Sequence, residues 1–330
     1  MKELILSFLL IINISCSSNR AIDDEKILFS ENTKPKLWMI NGISTDSVGG
    51  ARHINILINY TPVSKKNYVS FYTSFWSEKD KKFSYGYHSE EIPLQQNRSS
   101  FPVKIETAEN DTMYNFSRWK FGRNIMLYQK VLYNDAIEDY FNFKMKALFE
   151  KKIPFTISNG SKMGNILPFQ AQIKLSGDYR DQFPANVSLH LIHDPKEIID
   201  KSKNNIIGFL DMQLRNGKYG SILFETDGSD YTTILDQSFW ENGQNIYQHY
   251  STIIGPDQDG KWYSSHSGKS YPLAYLLSLP FYNKQILLKP TIDDQEIKAN
   301  QNSFWMGAVN LFDKEAGVIV GAGNLYMLKL

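Results

Sequence analysis

The last stretch of the chain, "NSFWMGAVNLFDKEAGVIVGAGNLYMLKL" from Asn302 to Leu330, constrains the fold more than any other segment. It reads as two strands around the charged turn Asp313–Gly317. An antiparallel hairpin with one wet face alternates apolar and polar residues. Here both faces are apolar: Trp305, Val309 and Leu311 alternate with Phe304, Met306, Ala308 and Phe312, and the return strand repeats the pattern. Such a hairpin must be covered on both sides. A closed or half-closed sheet does this, with one face lining a lumen and the other packed on a neighbour. Gly307, Gly321 and Gly323 punctuate the hairpin and are expected to allow sharp coiling or to leave room for Trp305 or a ligand.

The bulk composition agrees with a β protein. Aromatic residues make up 14% of the 330 residues, including 19 Tyr and 20 Phe, and aromatic side chains favour pleated strands. Formal net charge is +1, with basic and acidic residues interspersed. That balance excludes the concentrated positive field that nucleic acid requires. Strand-like runs recur between turns such as "TDSVGG", "LRNGK" and "GPDQDGK", beginning at Leu37–Ile43, Ile54–Tyr60 and Tyr68–Trp76. They continue through Ile206–Leu214 and Tyr219–Phe224 to the closing hairpin. Only "YNDAIED" and "DPKEIIDKSKN" carry enough helical signal for about two turns each. The second, Asp194–Asn204, is the most polar stretch of the middle and marks a domain junction. The fold class expected is all-β, built as antiparallel meanders closing into a barrel or half-barrel in two domains, 36–203 and 204–330. A single large sandwich is the alternative.

The lone cysteine, Cys16, excludes an internal disulfide and a thiolate metal cluster. It follows one lysine and the apolar run Leu4–Ile12, too short to span a bilayer but of signal-peptide length. Ile14-Ser15-Cys16 resembles the end of a bacterial lipobox, with Asn13 where Leu is usual. Residues 1–15 are therefore expected to be a signal peptide, Cys16 to be lipidated, and 16–35 to form a polar tether. An uncleaved leader or a plain signal peptide is the alternative. Ser17 stands where inner-membrane retention commonly uses Asp, so the expected location is the cell envelope, with the outer membrane favoured.

Several segments resemble one family. "SFWMGAV" followed by "GAGNLYML" is similar to the closing signature of the lipocalin-like carotenoid 1,2-hydratases (hydroxyneurosporene synthases) and AttH-type secreted proteins. "WYSSHSGKSYPLAYLLSLP" (Trp262–Pro280), "IDDQE" (Ile292–Glu296) and "GFLDMQLRNGKYG" (Gly208–Gly220) match further motifs in the same order, and "LWMINGI" resembles the first strand. The resemblance covers 205–330 best. It implies two packed lipocalin-like domains with a cleft or lumen for a hydrophobic molecule, and activities of hydration, cyclisation or binding alone. Met306 and Met327 stand where the family has glutamates, and Asn324 where it has Tyr. The family's Asp/His/Trp catalytic segment has "HLIHDPKEI" as counterpart, with His193 and Asp194 but no Trp.

Hydration of an isolated alkene needs a strong proton donor beside an apolar, cation-tolerant pocket. Asp211 interrupts the apolar run Ile206–Leu210, where a charge is costly unless paired or protonated. It is the first candidate acid, with His193 and Asp194 the second; outward exposure of Asp211, or pairing with Arg215, is the alternative. Asp293, Asp294 and Glu296 read as a solvated turn. His190 and His193 lie three apart, so on a strand they point to opposite faces and do not share a metal. No metal site and no cofactor is expected. Trp262, His266, Tyr271, Trp305 and Met306, inside the family-like motifs, are the candidate pocket lining. The partners expected are a hydrophobic small molecule of isoprenoid or lipid type and the membrane through Cys16, with the chain acting as a monomer. Binding or carriage of such a molecule leads. A hydratase or cyclase on an isoprenoid or polyene is the alternative, and a ligand-free interaction module the third.

Overall fold

The computed structural model describes residues 36–46, 50–63, 66–92, 104–106, 113–116, 127–131, 141–147, 153–156, 162–177, 181–193, 206–227, 232–241, 244–245, 252–255, 260–279, 281–298 and 303–329. Among these the chain is all-β, without a helix. Cys16, Asp194 and both short helical candidates lie outside the described residues.

The first eleven strands are β1 (Lys36–Asp46), β2 (Gly50–Val63), β3 (Lys66–Ser77), β4 (Lys82–Ile92), β5 (Lys104–Glu106), β6 (Met113–Phe116), β7 (Leu127–Val131), β8 (Phe141–Ala147), β9 (Ile153–Thr156), β10 (Lys162–Gly177) and β11 (Asp181–His193). They form one antiparallel sheet in the order β4-β3-β2-β1-β11-β10-β8-β7-β6-β5, with β9 beside β10. The remaining strands are β12 (Ile206–Leu214), β13 (Lys218–Thr226), β14 (Thr232–Glu241), β15 (Gln244–Asn245), β16 (Thr252–Ile254), β17 (Lys261–Tyr263), β18 (Ser270–Pro272), β19 (Tyr275–Ser278), β20 (Gln285–Pro290), β21 (Glu296–Ile297), β22 (Phe304–Asp313) and β23 (Ile319–Lys329). Ten of them make a second sheet, β15-β14-β13-β12-β23-β22-β20-β19-β16 with β21 on β22, while β17 and β18 pair separately. Each half thus places its last strand beside its first, β11 on β1 and β23 on β12. The two halves share a topology that no sequence period discloses.

The second sheet nearly closes on itself. Thr232 Oγ1 at the start of β14 donates to the Gly255 carbonyl just after β16, at 2.7 Å. Its interior is filled by side chains, among them Leu210, Phe224, Tyr275, Leu288, Trp305 and Leu325. Because successive strand residues point to opposite faces, the other face of the same strands carries Ile207, Phe209, Phe304, Met306 and Tyr326. That outer face packs on Leu37, Met39, Leu57 and Tyr72 of the first sheet. The Tyr72 and Phe304 rings meet edge to face across the junction, with centroids 4.9 Å apart.

The closing hairpin is therefore apolar on both sides because it is a wall shared by two cores. Trp305, Val309, Leu311, Leu325 and Met327 fill the barrel, while Phe304, Met306 and Tyr326 cement it to the first sheet. The glycines serve close approach to protein groups. A Cβ on Gly307 would fall 2.4 Å from the Gln295 side chain, and one on Gly323 would fall 2.7 Å from the Asp211 carbonyl oxygen. Gln295 folds over Gly307, donating from Nε2 to the Ala308 carbonyl at 2.9 Å and accepting from the Ala308 amide at 2.8 Å.

Candidate functional site

Within the apolar junction runs a band of polar side chains set by strand register. In the first sheet Ser188, Asn41, Asn55 and Ser74 stand opposite one another across β11, β1, β2 and β3. In the second, Ser221, Asp211 and Asn324 do the same across β13, β12 and β23. The two rows face each other, and Asp211 is their centre.

Asp211 is 3% exposed, so its carboxylate has exchanged water for protein donors. Its Oδ2 accepts from Ser188 Oγ at 2.5 Å, His190 Nε2 at 2.8 Å and Asn41 Nδ2. Its Oδ1 accepts from Ser221 Oγ. Burial pushes the Asp211 carboxyl up. The facing His190 and the hydrogen bonds from His190, Ser188 and Ser221 outweigh it, so the group is held below the usual carboxylate range. The Tyr326 hydroxyl donates to Asn41 Oδ1 and, at 3.5 Å, to Asn55 Oδ1. Burial and then the Asp211 charge push that phenol far up, so it stays a donor. Asn55 in turn donates to Ser74 Oγ at 3.0 Å, and Ser74 to the Met306 carbonyl at 3.3 Å.

His190 completes the centre. Its ring packs edge-on against Phe209, centroids 4.6 Å apart, and its Nδ1 has no protein partner among the described residues. The hydrogen bond between Asp211 and His190 thus lies inside the apolar junction, with one ring nitrogen uncommitted. The Asp211 carboxylate is placed to stabilise a cation that forms beside it. Asp211 and His190 are two metal-type ligands, but no group of three His, Cys, Asp or Glu comes together among the described residues.

The sequence-derived candidates scatter around this centre. Asp211 faces neither solvent nor Arg215; its partners come from β1, β11 and β13. The backbone of His193 pairs with Lys36 at the end of β11, and its side chain lies outside the described residues. His190, three residues earlier, is the histidine on the face of Asp211. The alternation of β11 was the one signal for it, once β11 was known to pair with β1. Trp305 and Met306 point to opposite sides of β22. Trp305 is fully buried in the barrel, its Nε1 donating to the Asp293 carbonyl at 2.7 Å, whereas Met306 belongs to the junction. Met327 also lies in the barrel core, where its sulfur accepts from the Tyr275 hydroxyl at 3.9 Å.

Tyr271 is buried and stacks on half-buried Trp262, centroids 6.0 Å apart. Trp262 also lines a depression of about 130 Å³ with Lys261, Lys289 and Pro290. His266 is exposed in the turn between β17 and β18. The acidic step expected as a solvated turn divides: Asp293 and Asp294 are exposed, while Gln295 and Glu296 are completely buried. Glu296 accepts from Ser264 Oγ at 2.5 Å, from Ser267 Oγ, and from the Tyr271 hydroxyl at 2.9 Å. It ties the β17–β18 turn to the barrel.

No family model and no curated protein matches the sequence. Solved structures do. A candidate AttH from Nitrosomonas europaea is similar with a TM-score of 0.66 and 13% identity, over 89% of this chain and 92% of that one. Kievitone hydratase from Nectria haematococca is similar with a TM-score of 0.57 and 12% identity, over 92% of each chain. At such identity the likeness is one of fold, and the fold is lipocalin-like, of the AttH type.

Proposed function

We propose that this protein is an acid–base enzyme of hydratase type, acting on an alkene in an isoprenoid- or lipid-like substrate. The observation that carries the reading is the buried Asp211–His190 pair at the junction of the two sheets. Its carboxylate is fixed by four donors and one histidine nitrogen is left uncommitted. The hydratase among the solved structures of this fold supports it. In the reaction, the Asp211–His190 pair, once protonated, gives that proton to one alkene carbon, the π electrons forming the new C–H bond. The Asp211 carboxylate stabilises the cation on the neighbouring carbon. Water adds to that cation, and the proton it releases returns to the pair, so the net change is addition of one water. Cys16, as a lipidated residue, would hold the enzyme at the envelope membrane, where apolar substrates collect.

A second reading, carriage of an apolar molecule without chemistry, draws on Met306, which puts an apolar side chain on the junction face of β22. One experiment separates the two. Full-length protein in detergent is incubated with farnesol, geranylgeraniol or oleic acid in heavy-oxygen water, and the products are analysed by mass spectrometry. Labelled alcohol formed by the wild type and lost in Asp211→Asn is the expected result. A stoichiometric apolar molecule in the organic extract of the purified protein, with no label uptake from any probe, would overturn the enzyme in favour of the carrier.

A further inference from the structure

Beyond the Asp211 centre, the junction holds a second set of buried polar atoms. His53 is fully buried on β2, and its Nδ1 donates to Asn324 Oδ1 at 2.9 Å. That hydrogen bond fixes the tautomer, because the amide oxygen only accepts. Nε2 is then a bare lone pair, and it has no protein partner among the described residues. Burial holds the ring near a pKa of about 4, so it stays neutral at physiological pH. Trp76 stands directly across from His53 on β3, and its Nε1 is likewise unpartnered. The Asn324 Nδ2 and the Gln213 Oε1 are unpartnered as well. Asn324 stands across from Asp211, and Gln213 is the next residue on that face of β12.

Buried polar atoms without partners are rare in native proteins, and each one calls for a ligand or water. Here there are two N–H donors, Trp76 and Asn324, and two acceptors, His53 and Gln213. Two donors and two acceptors are the complement of a water molecule, or of an alcohol with one bond fewer. Strand register places Asn324 directly across from Asp211 and Gln213 two residues along β12 from it, so the set adjoins the acid on the same sheet face.

We propose that His53, Trp76, Asn324 and Gln213 form the site that holds the water for addition to the substrate, with His53 Nε2 accepting one of its hydrogens. The role given to that water rests on the hydratase reading; the existence of the site does not. His53 Nε2 and Gln213 Oε1 accept the water's hydrogens, and one donor at a time, Trp76 Nε1 or Asn324 Nδ2, holds one lone pair of its oxygen and leaves the other for the cation left by protonation. The C–O bond forms from that lone pair, and the proton lost from the resulting oxonium passes to Asp211. His53 keeps the same protonation state throughout.

The first test is a crystal structure of the full-length protein in detergent, at a resolution that shows ordered water. An oxygen about 2.7–3.2 Å from His53 Nε2, and in reach of Trp76 Nε1 or Asn324 Nδ2, is expected. His53 Nε2 packed against carbon with no oxygen beside it would overturn the proposal, whether or not any probe is turned over. An oxygen there, together with no turnover, would keep the site and sink the hydratase reading instead. The second test uses variants on a probe that the wild type hydrates. His53→Phe keeps the ring volume and removes the acceptor, so label uptake should fall ~100-fold. Deuterium exchange into recovered alkene, which reports protonation alone, should persist. His53→Gln, which keeps an acceptor, should retain more hydration than His53→Phe. Equal losses of hydration and exchange in both variants would show a merely structural histidine.

Discussion

Asp211 offers a test that the geometry makes quantitative, because its two oxygens are unequally used. Oδ2 accepts from three donors and Oδ1 only from the Ser221 hydroxyl. Asp211→Asn can therefore keep its oxygen at the Oδ2 position and place its amide at Oδ1. There it meets a hydroxyl that rotates to accept. Every partner stays satisfied and only the charge assistance is lost, a cost of about 1–2 kcal/mol. Asp211→Leu keeps the branched skeleton, with bulkier methyls, but strips the acceptor from four buried donors. Leaving such donors unpaired costs about 1–3 kcal/mol each in isolation, and breaking one side of a buried ionic cluster about 3–5 kcal/mol in all.

The two variants should thus differ by about 1–4 kcal/mol in urea unfolding near neutral pH. The carboxyl is held below its usual 3.8, so the ionised group stabilises the fold above that pH. This contribution fades as pH falls from there through the folded-state value, and neither variant should show that loss. Equal midpoints for Asn and Leu, or a more stable Leu variant, would refute the reasoning. They would mean that the donors relax to other partners and the carboxylate holds nothing in place.

His53 should add to the same acid arm of the pH profile, beginning at higher pH. Its folded pKa is lowered from 6.5 to about 4 by burial, so its contribution is complete above 6.5 and declines toward 4. About 2 kcal/mol should be gone by about pH 5, measured as wild type minus His53→Gln in urea titrations. Identical pH dependence in the two proteins would contradict this. Gly307→Ala should cost about 2–4 kcal/mol, since the new Cβ displaces Gln295 and with it two hydrogen bonds to Ala308. A thermal scan with an unchanged midpoint would show that Gln295 moves freely. Glu296→Ala leaves Ser264 and Ser267 without their acceptor, and Tyr271 with the Ser303 carbonyl at 3.2 Å as its acceptor, and should cost about 2–4 kcal/mol. Hydrogen exchange should rise selectively in the β17–β18 turn, and uniform change across the barrel would argue against a local tie.

The sequence alone determined most of the long strands and the demand that both sides of the closing hairpin be covered. Alternation along a strand is a local property, and a strand apolar in both registers must be covered on both faces. It also marked Asp211 as a charge that had to find partners, because its neighbours on both sides are apolar. Parity already implied that Trp305 and Met306 could not line one pocket, since consecutive strand residues point apart. β14 had no legible signal: Thr232, Thr233, Asp236 and Gln237 break the apolar alternation. The strand is held by its pairing with β13, through a register shift at Leu223 and Phe224.

Tertiary structure decided who stands opposite whom. Asn41 meets Asp211 across 170 positions and His53 meets Asn324 across 271, and neither pairing follows from any local spacing. The burial of Gln295 and Glu296 in a run that reads as a wet turn is likewise the work of Gly307 and the β17–β18 turn folding over them. A strand pattern specifies that a face is buried. Which side chains meet on that face depends on the register of β1 with β11 and of β12 with β23, and on two sheets packing together, both of which are set by the summed contacts of residues far apart in the chain.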